Sequence, residues 1–102
     1  MNLPKDALAL VVRLHAEGRR AEAEGVLREA LRAAQAGVSA RRGDYETLAR
    51  IAQHLGEMLR ARGAAGEAIL HFRIALKAAR TAHRRQGGDR RLLITSRVGV
   101  GR

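Results

Sequence analysis

A chain of 102 residues has room for one small domain, and with no cysteine it excludes both a disulfide framework and a thiolate metal site. It carries one Phe, one Tyr and no Trp, so its core must come from Ala, Leu, Val and Ile. The net charge of +10, from 20 basic and 10 acidic residues, directs any partner argument toward anionic groups.

The start, Met1-Asn2-Leu3-Pro4-Lys5-Asp6, lacks a basic region leading into a long apolar run. The longest apolar stretch, Ala7 to Val12, is too short to span a bilayer. A soluble, cytoplasmic chain with no membrane partner is the expectation.

Ala, Leu, Arg and Glu favour helix, and glycines punctuate four helical segments. The first is predicted from Leu3 to Ala16, with Asn2 as cap and Pro4 in the first turn. Its apolar face is Ala7, Leu8, Leu10, Val11 and Leu14. Gly18 ends it, since glycine takes the left-handed conformation of a helix stop. The second, from Arg20 to Ala36, repeats Ala23, Val26, Leu27, Ala30, Leu31 and Ala34 at steps of three and four. Gly37 is expected to close it.

A connector, Val38 to Gly43, leads to Asp44, a predicted cap for a third helix from Tyr45 to Arg62. Its apolar positions are Leu48, Ile51, Ala52, Leu55, Met58 and Leu59, and Gly63 is its stop. The fourth helix, from Ala65 to Arg84, has Ala68, Phe72, Ala75, Leu76 and Ala79 as its stripe, widened by Ile69 and Ile74. Gly87-Gly88 should break the pattern. The expected organisation is a helical domain over 3–86, with repeat one at about 3–36 and repeat two at about 44–85. A basic tail over 87–102 is expected to be flexible or ordered by a partner chain.

The two halves match when slid by 45 residues. Gly18 falls on Gly63, Glu22 on Glu67, Ala23 on Ala68, Leu27 on Phe72, Ala30 on Ala75 and Leu31 on Leu76. Leu10 falls on Leu55 and Leu14 on Leu59. A period of this length signals a stacked helical array. The second unit, with Leu55-Gly56, Leu59, Gly63, Ala68, Phe72 and Ala75, resembles the tetratricopeptide repeat in a long-period form. The first unit departs from that pattern: Val11 stands at a small position and Leu27 at the aromatic one, and both units lack the terminal proline. The resemblance implies an all-α fold of two stacked antiparallel hairpins in a superhelix. Leu10, Leu14, Gly18, Ala23, Leu27, Ala30, Leu55, Gly56, Leu59, Gly63, Ala68, Phe72 and Ala75 would pack its repeats. An unrelated antiparallel four-helix bundle would satisfy the same short loops.

Nothing points to catalysis. The four histidines, His15, His54, His71 and His83, have no ligand spacing and read as ordinary surface or groove residues. No phosphate loop of the strand-loop-helix kind is present, and no serine has a visible base. Neither an enzyme nor a cofactor or metal is expected.

The resemblance instead implies an adaptor or scaffold that holds a peptide or helix on its first-helix face. That face would present Lys5, Leu8, Val12 and His15 from the first unit, and Arg50, Gln53, Glu57 and Arg60 from the second. Two repeats are few for a stacked array and no polar capping helix follows the second, so its second helix and the Leu92-Leu93-Ile94 cluster would leave apolar surface uncovered. Self-association, most simply as a homodimer with the tail packing on a second chain, is expected. The alternative is a nucleic-acid-associated helical protein. From Arg80 to Arg102 the chain has seven arginines and one acid, and Arg84, Arg85, Arg90 and Arg91 are the candidate polyanion contacts. Only Lys5 and Lys77 are lysine. That bias reads either as genome composition or as a surface for phosphate or carboxylate, which arginine's planar fork suits.

Overall fold

The computed structural model describes the backbone of residues 3–40 and 44–98 and the side chains of 6–40 and 44–85. Four helices follow in order: α1 (Leu3–Ala16), α2 (Arg20–Ser39), α3 (Tyr45–Ala61) and α4 (Ala65–Val98). No strand occurs among the described residues. α1 pairs with α2 and α3 with α4, while α3 also packs on α2 and touches α1. The result is two stacked helical hairpins, as the sequence led us to expect.

The hairpin turns repeat atom for atom at the predicted offset. Gly18 has φ +77° and Gly63 has φ +86°. The Gly18 N–H donates to His15 O at 3.0 Å and the Arg19 N–H to Leu14 O at 2.9 Å. In the second hairpin the Gly63 N–H donates to Arg60 O at 3.0 Å and the Ala64 N–H to Leu59 O at 2.8 Å. This bond pair, with a left-handed glycine, is the Schellman stop. It satisfies carbonyls that a helix end otherwise leaves bare. Asp44 caps α3 as predicted, its side chain accepting from the Thr47 N–H at 2.6 Å. Asn2 and residues 41–43 lie outside the described residues.

The core runs along the middle of the stack. Leu27, Ile51, Leu55 and Leu59 are its largest fully buried side chains. Small residues set how close the helices come. Ala23 and Ala30 of α2 are fully buried, as are Ala52 of α3 and, nearly so, Ala68 and Ala75 of α4. Gly56 is buried against the ring of Phe72, and a Cβ there would sit 2.8 Å from Phe72 Cε1. Of the residues expected to pack the repeats, all but Leu10 are buried, half-buried or one of the two turn glycines.

Several expectations need correction. Gly37 does not close α2, which continues to Ser39. A helical glycine costs only about 1 kcal/mol, and Val38 packs against the core just beyond it. For the same reason α4 runs through Gly87-Gly88 to Val98 instead of breaking. Each added residue extends an existing helix and brings one more backbone bond. The tail over 87–102 is therefore helical backbone as far as Val98. The buried side of α4 is also rotated from the predicted stripe. Ala68, His71, Ala75 and Ala78 form it, while Ile69, Leu76 and Ala79 face outward. His71 is not a surface residue: it is buried, and its Nδ1 donates to the Glu67 carbonyl at 2.8 Å. Leu10 is 37 % exposed, whereas its mate Leu55 is fully buried, because α1 has no helix on that side among the described residues.

Two glycines separate packing from propensity. Gly56→Ala forces the Phe72 ring aside and should lower stability by about 1–3 kcal/mol. Gly25→Ala, in α2 with no atom within 4 Å of the added Cβ, should raise it by about 0.5–1 kcal/mol. Urea midpoints at constant slope check both.

Candidate partner-binding surface

The expected binding residues lie on α1 and α3, which the fold sets side by side. Steps of three and four put Leu8, Val12 and His15 on one stripe of α1, and Arg50, Gln53, Glu57 and Arg60 on one stripe of α3. Val12 is 65 % exposed. His15 and the four α3 residues are exposed. Leu8 is half-buried and packs against the core, so it forms the floor of the surface, not a free contact. The Lys5 side chain lies outside the described residues.

Part of this surface is held by its own neighbours. Arg50 Nη2 pairs with Glu46 at 3.3 Å, one turn earlier. Gln53 Nε2 donates to Glu57 Oε2 at 3.1 Å. Exposed pairs at this spacing are worth about 0.3–0.5 kcal/mol, so a ligand can displace them at small cost. The stripe thus combines one open valine with charged and amide groups that are ordered yet exchangeable. It offers apolar contact and polar bonds side by side.

The second feature is a cluster that sequence reasoning missed. Glu24 of α2 is partly buried where the two hairpins meet. It accepts from Arg62 Nε at 2.8 Å and Arg62 Nη2 at 3.1 Å. It also accepts from Arg28 Nη2 at 2.9 Å and Nε at 3.2 Å. Arg28 reaches on to Glu67 Oε2 at 3.2 Å, and Arg62 lies 3.8 Å from Glu67 Oε1. Two arginines and two glutamates therefore tie α2 to the α3–α4 turn. The Arg62 hydrogen bond, with help from Arg28, holds the Glu24 carboxyl well below the usual range, at about 2, against the penalty of burial. The Glu24–Arg28 spacing was visible as an i,i+4 pair. The link to Arg62, 38 residues away, left no trace in local sequence.

This network borders a cleft of about 430 Å³ between the hairpins, whose walls include His15, Arg20, Glu24, Met58 and Arg62. Among the described residues, His15 is the one expected binding residue that reaches it. Of the candidate polyanion contacts, Arg84 is exposed, and Arg85 is stacked over the Tyr45 ring at 4.8 Å. The Arg90 and Arg91 side chains lie outside the described residues. Among the described residues no three His, Asp or Glu side chains gather as a metal would require, and no helix is long and apolar enough to cross a membrane.

Compared with family models, curated proteins and solved structures, the chain matches none.

The Glu24 network fixes a pH dependence. Its folded value, about 2, lies below the unfolded value of about 4.3. The contribution is complete above the unfolded value and is lost as pH falls through the folded one. Because Arg62 is well exposed and Arg28 partly so, the loss should be about 1 kcal/mol and smaller in high salt. Chemical denaturation of the wild type and Glu24→Gln between pH 6 and pH 2.5 should show this extra acid sensitivity in the wild type alone.

Proposed function

We propose that this protein is a non-enzymatic adaptor of tetratricopeptide type that binds a peptide or helix from another protein on the adjoining outer faces of α1 and α3. The observation that carries this reading is the stripe of open side chains, Val12 and His15 on α1 and Arg50, Gln53, Glu57 and Arg60 on α3, on two helices that touch. The 45-residue repeat of both sequence and turn geometry supports the family likeness. In this reading the protein acts in the cytoplasm.

A homodimer belongs to the same proposal, placed here on the α1 side and not, as expected from sequence, on the fourth helix and the tail. There Leu10 is open, and Arg19 is balanced by Glu17 and Glu22. The nucleic-acid reading has less behind it. Arg85 is engaged with Tyr45, and the few aromatic residues offer little for bases to stack on.

A displayed library of random peptides, selected on the full chain, tests the adaptor reading. Selected peptides should lose about tenfold or more in affinity with Val12→Asp and with Gln53→Ala/Arg60→Ala, while the substitutions leave circular dichroism unchanged. Failure to enrich any sequence, or enriched peptides indifferent to both variants, removes the proposal. Light scattering should give a two-chain mass that Leu10→Asp reduces to one.

A further inference from the structure

The internal repeat shows what kind of element covers each helix face. On α2, Leu31 is 7 % exposed and Ala34 is buried, on the helix that α3 packs against. Their mates on α4 are Leu76 and Ala79, and both are open, Leu76 at 53 %. Ile69, one turn before Phe72, is 54 % exposed. The outer face of α4 is thus the surface that, one repeat earlier, carries a helix. Among the described residues nothing lies on it.

Its charge identifies the occupant. Arg73, Lys77, Arg80 and Arg84 follow at steps of four, three and four, so they form one ridge about 16 Å long. All four are exposed, and none makes an ion pair with an acid among the described residues. The ridge and Leu76 line the same open depression of about 780 Å³. An apolar strip and a cationic strip therefore run side by side along one helix.

We propose that this α4 face docks an amphipathic helix of another protein whose apolar stripe is flanked by Asp or Glu. The apolar stripe would cover Ile69 and Leu76, as α3 covers α2, while the acids pair with the ridge. A nucleic-acid backbone would satisfy the arginines but leave Ile69 and Leu76 wet. A second copy fits poorly. The acids outside the ion pairs include Asp6 on α1, Glu29 on α2 and Glu57 on α3, one to each helix, and so make no acidic stripe. Two α4 faces together would set cation against cation. This surface is separate from the α1–α3 face, so either proposal can fail alone.

The probe is a labelled synthetic helix of about three heptads, with Leu at a and d and Glu at e and g, titrated into the full chain by anisotropy. Its affinity should fall about tenfold when its Glu are changed to Gln, and likewise with Leu76→Ser or Arg73→Gln/Arg80→Gln in the protein. The charge-matched Arg13→Gln/Arg32→Gln, exposed on α1 and α2 and outside both proposed faces, should change it little. These side chains are exposed, and circular dichroism checks that each variant folds. Equal weakening by the Arg13/Arg32 pair would mean general attraction to a basic protein and overturns the proposal. So does a DNA duplex that displaces the peptide and binds Leu76→Ser as well as wild type. A homodimer that Leu76→Ser dissociates would assign the face to a second copy, and also overturns it.

Discussion

Helix contact in this molecule depends on side chains that are small where two backbones meet. Ala23 and Ala30 let α2 come close to its neighbours, and Gly56 makes room for the Phe72 ring between α3 and α4. Helices 8–10 Å apart leave space for one layer of larger groups. Leu27, Ile51, Leu55 and Leu59 fill it. With so few aromatic residues, the chain has little bulk to bridge a wider gap. Close approach is therefore a requirement of the stack, and α3, lying between α2 and α4, is where it is met twice.

The two hairpins share a backbone plan and differ in what surrounds them. Their stops use the same bonds 45 residues apart. Yet Leu10 is open where Leu55 is buried, and Leu76 is open where Leu31 is buried. Equivalent residues thus experience the interior or the edge of the stack according to position alone. The joint between hairpins is different again: its hydrophobic contacts are reinforced by Glu24 and Arg28 of the first hairpin, which meet Arg62 and Glu67 of the second only after stacking. Groups of this kind reward the correct offset between hairpins more than they add to net stability.

The sequence made the repeat legible because period, glycine position and apolar spacing are local quantities. Gly18, Gly63 and Asp44 act as their chemistry dictates. Gly37 and Gly87-Gly88 do not, because a glycine inside a growing helix is a small penalty and not a barrier. Spacing also could not say which of two neighbouring ridges on α4 turns inward. The apolar residues Ile69, Leu76 and Ala79 weighted the pattern toward the wrong ridge, and His71, polar by type, was read as a surface or groove residue. Burial of His71 depends on the Glu67 carbonyl one turn earlier, which gives its ring nitrogen a partner. Of the candidate site, the α1 and α3 residues came from the resemblance, position by position, and helical spacing then sets them on stripes. The Glu24 network was not legible, since its partners lie far apart in the chain.

Charge, finally, is not spread evenly between the interior joint and the outer faces. The acids are the scarcer sign, and several are already committed. Glu24 and Glu67 serve the joint, Glu17 and Glu22 hold Arg19 at the first turn, Glu46 holds Arg50, and Asp44 caps α3. What remains for solvent is mostly arginine, most continuously along α4. An approaching anionic surface therefore meets an attractive field before it makes any contact, which speeds encounter and makes it salt-dependent. Attraction of that kind is indifferent to shape. Selectivity has to come from the apolar strip beside the cations, because only a partner that removes Ile69 and Leu76 from water gains from both terms at once.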